Sequence, residues 1–353
     1  MLFGLTVSSI DDVGLIAHAE HLGYDFCWVP DTQLLTSNPW AVLALAAQQT
    51  QRIRIGTGLA VAGLRLAPVL ANSIATINRL APGRTFCGVG TGNTAMRTMG
   101  RRPMAVKPFA EYLRVVRALL DGEEVDYRHG DSSRPIRFQN RNLGHGDARV
   151  PIHVGGLGPR AQALAGELGD ALVTSVPRGG TVAEARGRAE AAASTAGRNP
   201  AEVEVYALMN LLLLEPGETL ASPRAIAECG SAIMANVHYL VDLHRETGAE
   251  PPAYVLPIWE DYLAYHRSRD AARAHQQLHQ SHYAYLEEGE ARFITPEIIR
   301  NFTLAGRPEE IVERLRQLEA DGLTGVNFIF PNDQLHALVE SFARRVIRLY
   351  REA

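Results

Sequence analysis

Three glycine clusters are the residues of this 353-residue sequence best suited to hold a ligand: Gly56-Thr57-Gly58, Gly88-Val89-Gly90-Thr91-Gly92-Asn93 and Gly155-Gly156-Leu157-Gly158-Pro159-Arg160. Glycine lets backbone N–H groups come close to a ligand and reaches positive φ without steric cost. The third cluster runs straight into a helical pattern with Pro159 in its first turn. The unpaired N–H groups and positive dipole end of such a junction suit a phosphate. Asn93 and Thr94 offer an amide and a hydroxyl for a polyhydroxyl chain, although Asn also serves as a turn residue. Arg160 either pairs with the phosphate or is a solvated surface residue. Any one cluster alone also reads as a tight turn at a strand end; three at consecutive strand ends favour a ligand. None follows GxGxxG, and no GxxxxGK[ST] run occurs, so a P-loop nucleotide site is not supported.

Other single residues carry two readings each. Asp31, after Pro30 at the end of an apolar run, either caps the next helix or lines a pocket as a carboxylate contacting cofactor or substrate. Trp40 either stacks on a ring or packs in a first helical turn, and Arg178 in PRGG has the same ambiguity as Arg160. His275, His279 and His282 stand at i, i+4 and i+7, one face of a helix. That spacing suits a metal, but no HExxH-type carboxylate accompanies it, so surface or lid histidines are the preferred reading and no metal is assigned. Trp259, Tyr262, Tyr265 and His266 read as packing of an insertion or as a lid shaping a substrate pocket. No GxSxG elbow occurs. The pairs Glu123-Glu124 and Glu309-Glu310 read as surface charge. Cys27, Cys87 and Cys229 are widely spaced without CxxC, which supports neither a disulfide framework nor a cysteine zinc site.

The elements that must position these residues alternate. Strand-like runs at Leu2–Val7, Asp25–Val29, Arg52–Leu59, Arg84–Val89, Pro151–Val154, Ala171–Ser175, Val203–Leu214 and Gly325–Phe330 are each followed by a helical pattern. These include Pro39–Gln49, Pro68–Leu80, Pro108–Leu120, Pro159–Leu168, Thr181–Ala196 and Asp333–Arg351. Val125–Phe138 breaks the alternation as a hairpin after strand four, and Glu250–Arg292 is an insertion of mixed helical character. Thr303–Asp321 is expected to be helical throughout. Eight β-then-α units imply a parallel sheet closed into a (β/α)8 barrel, an α/β single domain over 1–353, with function on the loops leaving the strand C-termini. A doubly wound sheet fits less well, because its cofactor fingerprint should follow the first strand and no glycine occurs there until Gly14.

Composition sets the outer bounds. Hydrophobic residues make up 46% and charged ones 21%, which excludes disorder as the dominant state. The formal charge of −4 gives no electrostatic footprint for nucleic acid or an acidic membrane. MLFGLTVSSIDD lacks a basic signal-peptide region, and no run is long enough for a membrane helix, so a cytoplasmic location is expected.

The order IRIGTGLAVAGLRLAPVLANSIATINRLAPGRTFCGVGTGN, followed by PIHVGGLGPRAQALAGELGDALVTS, resembles the bacterial-luciferase-like oxidoreductases. WVPDTQ and KPFAEYLRVVRALLDGEEVDY fit as well, and the phrases are most similar to the deazaflavin-using branch of methylenetetrahydromethanopterin reductase. The resemblance implies a barrel holding a flavin or deazaflavin across its strand C-termini, with a non-proline cis peptide near Gly58-Leu59. Carried over, Gly58 and Leu59 flank the ring, Thr91, Gly92 and Asn93 meet the side chain, and Gly156, Leu157, Gly158 and Arg160 hold phosphate. Asp31 lines the ring pocket as the catalytic candidate, with Trp40, Arg178 and Trp259 toward the substrate. Related sugar-phosphate dehydrogenases place a histidine after that aspartate; Thr32 stands here instead, which argues against their chemistry. The implied activity is hydride transfer between coenzyme F420 and a small organic substrate. The alternatives are an FMNH2-dependent monooxygenase using oxygen, or a barrel that binds flavin without turnover. The expected partners are the substrate, a flavin or F420 reductase and, as in many relatives, a second copy in a homodimer.

Overall fold

Short runs such as FCWV and TFCGVG are buried along their whole length, as strands covered by helices on the outside must be. The structure, a computed structural model, describes residues 1–140, 148–176 and 180–352. Its strands are β1 (Leu2–Thr6), β2 (Phe26–Val29), β3 (Arg54–Thr57), β4 (Ala60–Val61), β5 (Thr85–Gly90) and the hairpin β6 (Val125–His129) and β7 (Ser132–Ile136). They continue with β8 (Ile152–Gly155), β9 (Ala171–Ser175), β10 (Glu204–Leu213), β11 (Thr303–Gly306) and β12 (Gly325–Phe328).

The chain divides into two compact units: residues 1–96, 103–207 and 319–327, and residues 97–102, 208–318 and 328–353. In the first, β12, β1, β2, β3, β5, β8, β9 and the opening residues of β10 follow one another in a ring. The pairs from β1 through β9 for which the register runs β1–β2, β2–β3, β3–β5, β5–β8 and β8–β9 are parallel. The ring closes through Glu204 N–H on Asp170 O (3.1 Å), Thr324 N–H on Val205 O (2.8 Å) and Leu2 N–H on Thr324 O (2.9 Å). This is the eight-stranded α/β barrel that the alternation implies. The second unit is built on helices, including Pro223–Thr247 and Leu256–Arg267, around a core with Ile233, Val237, Trp259 and Tyr262. Its β10 residues pair with β11 in parallel. No helix among the described residues is long and apolar enough to cross a membrane.

Local chemistry explains most boundaries. Asn38 caps the helix Pro39–Gln49 through the Trp40 N–H, with proline at its first position. The Val125–Phe138 hairpin is present, its turn made by Gly130 at φ 59°. Two expectations need correction. Thr303–Gly306 is a strand, and the helix begins only at Pro308, whose ring cannot donate within a strand but starts a helix well. His275, His279 and His282 do not share one helix, because that helix spans only Ala274–Gln277.

Candidate active site

The first unit brings nearly all of the expected ligand residues to one end of the barrel. Asp31 follows β2, Gly58-Leu59 follows β3, Thr91–Asn93 follow β5 and Gly156–Gly158 follow β8, so all lie beyond strand C-termini, where barrel sites form. The Gly58-Leu59 peptide is cis, as the resemblance implies.

Most of the glycines are explained from inside the protein. A Cβ on Gly58 would lie 2.3 Å from the Cβ of Trp28. The Leu59 side chain fills the mouth of the barrel: Cβ atoms on Gly88, Gly90 and Gly155 would meet it at 2.9, 2.9 and 2.3 Å. Gly92 has φ 84° and would press on Val61 at 2.2 Å, and a Cβ on Gly156 would meet the backbone of Ala161 at 2.8 Å. Gly158 is different. Its backbone is extended (φ −93°, ψ 159°), and a Cβ there would meet nothing within 4 Å. Neither turn geometry nor internal packing calls for glycine at that position.

The Gly158 loop is also held in place. Its carbonyl accepts from Ala161 and Gln162 N–H, both at 3.0 Å. The buried Gln162 side chain donates to Leu157 O (3.2 Å) and accepts from Arg188 (2.9 Å). Helix Pro159–Leu168 begins here without a side-chain cap, and Arg160, exposed in its first turn, forms no ion pair among the described residues. A fixed loop, an open glycine and a helix N-terminus without a side-chain cap fit a phosphate-bearing group. Across the mouth, Thr91 O accepts from Met104 N–H (3.0 Å), and Asn93 opens the short helix Asn93–Arg97.

Asp31 neither caps a helix nor stands free. It is 2% exposed, and its two oxygens accept from Arg65 Nε (2.7 Å) and Nη2 (2.8 Å). Val61 N–H approaches the same carboxylate at 3.5 Å. The paired carboxylate holds the Arg65 guanidinium above its ordinary range. Arg65 lies 5.5 Å from the Trp40 ring, a cation–π distance. Tyr112, whose hydroxyl is raised by burial above all, is close enough to feel the charges of Arg65 and Asp31. Sequence reasoning missed Arg65 and Tyr112. The available signal was a lone basic residue in the loop just beyond β4, near the strand C-termini.

The remaining candidates lie elsewhere. Arg178 falls outside the described residues. Trp259 is buried in the core of the second unit, edge-on to His244 with ring centroids 5.5 Å apart. Tyr262 packs in the same core and donates its hydroxyl to Glu290 (2.8 Å). His279, expected as a surface or lid residue, is buried and bonded through Nε2 to Asp242 (2.8 Å), whereas His275 is exposed. Burial keeps His279 below its ordinary range.

The model of the family described as luciferase-like monooxygenase matches residues 10–325, a span that carries every part of this site. The chain belongs to that family. This luciferase-like oxidoreductase is 27% identical to the 5,10-methylenetetrahydromethanopterin reductase of Archaeoglobus fulgidus, over 87% of this chain and 86% of that one. It is 28% identical to the F420-dependent hydroxymycolic acid dehydrogenase of Mycobacterium tuberculosis, over 69% and 71%. Among solved structures, the coenzyme F420 dependent tetrahydromethanopterin reductase from Methanopyrus kandleri superimposes with a TM-score of 0.67. That match covers 99% of both chains at 22% identity, which supports the luciferase-like barrel fold.

Proposed function

We propose that this luciferase-like enzyme transfers hydride between coenzyme F420 and a small organic substrate. The observation that carries the reading is the open, extended Gly158 beside glycines that packing closes. Its loop, with Gly156, Leu157 and Arg160, would hold the coenzyme phosphate; Thr91, Gly92 and Asn93 would meet the side chain, and Gly58 and Leu59 the ring. When bound, the coenzyme supplies two-electron hydride chemistry with little reactivity toward oxygen. Of the two curated relatives described above, one is a reductase and the other an F420-dependent dehydrogenase by name, which favours F420 over the FMNH2 monooxygenase and over a barrel without turnover.

The chain's own residues then have three tasks. Leu59, wedged among Gly88, Gly90 and Gly155, presents a rigid apolar surface to a planar ring. The Gly158 loop anchors the distant phosphate, so that binding energy far from the reaction fixes the ring. Asp31, the catalytic candidate, acts through Arg65, which it holds in one orientation beside Trp40. Trp40 forms the pocket wall, and Arg178 is retained as a proposed substrate residue; Trp259, in the core of the second unit, is not. A reductase that supplies reduced coenzyme, a homodimer, a cytoplasmic location and one functional domain over 1–353 belong to the same reading.

The test is oxidation of reduced F420 with a panel of small carbonyl and alkene acceptors, run with and without oxygen. Hydride transfer that persists anaerobically is the expected result. Strict dependence of turnover on oxygen would replace the reading with the monooxygenase.

A further inference from the structure

We propose that Arg65 selects the organic substrate, and that it takes one bearing a carboxylate or carbonyl oxygen. The proposal deepens the oxidoreductase reading and rests on it. A guanidinium has five N–H donors in a rigid fork and no acceptor. Asp31 engages the Nε and Nη2 side of that fork, and Nη1 has no partner among the described residues. The Arg65 side chain is 22% exposed against 1% for Asp31, so the carboxylate is sealed while the guanidinium keeps an open edge.

Two further donors in the same cluster are unsatisfied. The indole Nε1 of Trp40 and the hydroxyl of Tyr112 are buried without a hydrogen-bond partner among the described residues. Buried polar groups are normally paired, so donors left over at one place call for an acceptor brought from outside. The Asp31–Arg65 pair has no net charge, which suits hydrogen bonds to a planar oxygen better than capture of a dianion. Charge-assisted bonds from a fixed guanidinium favour a carboxylate or a polarised carbonyl over a hydroxyl. Asp31 is the positioning residue: its carboxylate also meets the Val61 N–H in β4, just beyond the cis peptide, and so fixes Arg65 relative to the barrel mouth.

The experiment is calorimetric titration of the purified protein with benzoate and with benzyl alcohol, with F420 titrated separately into the same preparations. Wild type should bind benzoate about tenfold tighter than benzyl alcohol. The double variant Asp31→Asn/Arg65→Met removes the buried charge together with its partner and so should remain folded. It should lose the preference. Arg65→Lys, which keeps charge but not the fork, should lose most of it. Equal binding of the two probes by wild type, or a preference that survives in the double variant, overturns the proposal. Absence of F420 binding with the benzoate preference intact would remove the coenzyme assignment and leave Arg65 as the oxygen-selecting residue.

Discussion

The Leu59 side chain occupies the space that glycine leaves at position 155: a Cβ on Gly155 would stand 2.3 Å from Leu59 Cδ1. Gly155→Ala should therefore overpack the barrel mouth and cost about 1–3 kcal/mol in urea denaturation. Adding Leu59→Ala should recover part of that loss, because the clash is between these two residues. A Gly155→Ala protein as stable as wild type would show that Leu59 is free to move.

Gly158 should behave in the opposite way. Thr is β-branched, tolerates the extended backbone found there and caps helices well. Gly158→Thr should leave stability within about 0.5 kcal/mol of wild type. Its F420 affinity should fall by about tenfold or more, because the side chain projects into the space assigned to phosphate. Unchanged affinity in a fluorescence titration would remove phosphate from that loop.

The Asp31–Arg65 pair makes a stability prediction independent of any substrate. Arg65→Met strands a sealed carboxylate and should cost about 3–5 kcal/mol. The double variant Asp31→Asn/Arg65→Met should recover most of this, which a urea denaturation cycle over the four proteins would measure. Additive losses would mean that the two side chains do not act as a pair.

Acid should destabilise the fold through its buried histidines. His153 lies stacked between Phe86 and Tyr206, with ring centroids 4.5 and 5.0 Å away. Burial foremost, with Arg54 adding to it, pushes its pKa down to about 3. In the second unit, burial lowers His266 to about 4. Both folded values lie below the unfolded value of about 6.5, so on acidification the unfolded chain takes up protons first. The contribution is intact above about pH 6.5 and declines toward the folded pKa values, by up to about 1.4 kcal/mol per pH unit for each histidine. Denaturation between about pH 7 and pH 5 should show a shallower slope for His153→Phe than for wild type. Identical slopes would exclude His153 as a source of the pH dependence.

Barrel and site differed in how far the sequence revealed them. The helices Pro39–Gln49 and Pro159–Leu168 were readable to the residue because proline starts each of them. The strand Thr303–Gly306 was hidden because it follows the helix Pro296–Phe302 without a break and the helical pattern after Pro308 absorbed it. The glycine clusters lie at the C-terminal ends of the barrel strands, as the alternation implies, but spacing could not separate Gly158, which faces open space, from Gly155, which accommodates Leu59. The partnership of Asp31 with Arg65 joins residues 34 apart across two strand ends, a relationship that only the closed barrel creates. The histidines at 275, 279 and 282 misled in the other direction: their spacing suggested one helical face, whereas the chain turns after Gln277 and buries His279 against Asp242.

Anaerobic fluorescence titration of the apoprotein against F420 and FMN in parallel tests the central claim most directly. The account predicts saturable F420 binding with FMN weaker by about tenfold or more. Tighter binding of FMN would contradict it and make the protein a reduced-flavin monooxygenase to be assayed with oxygen.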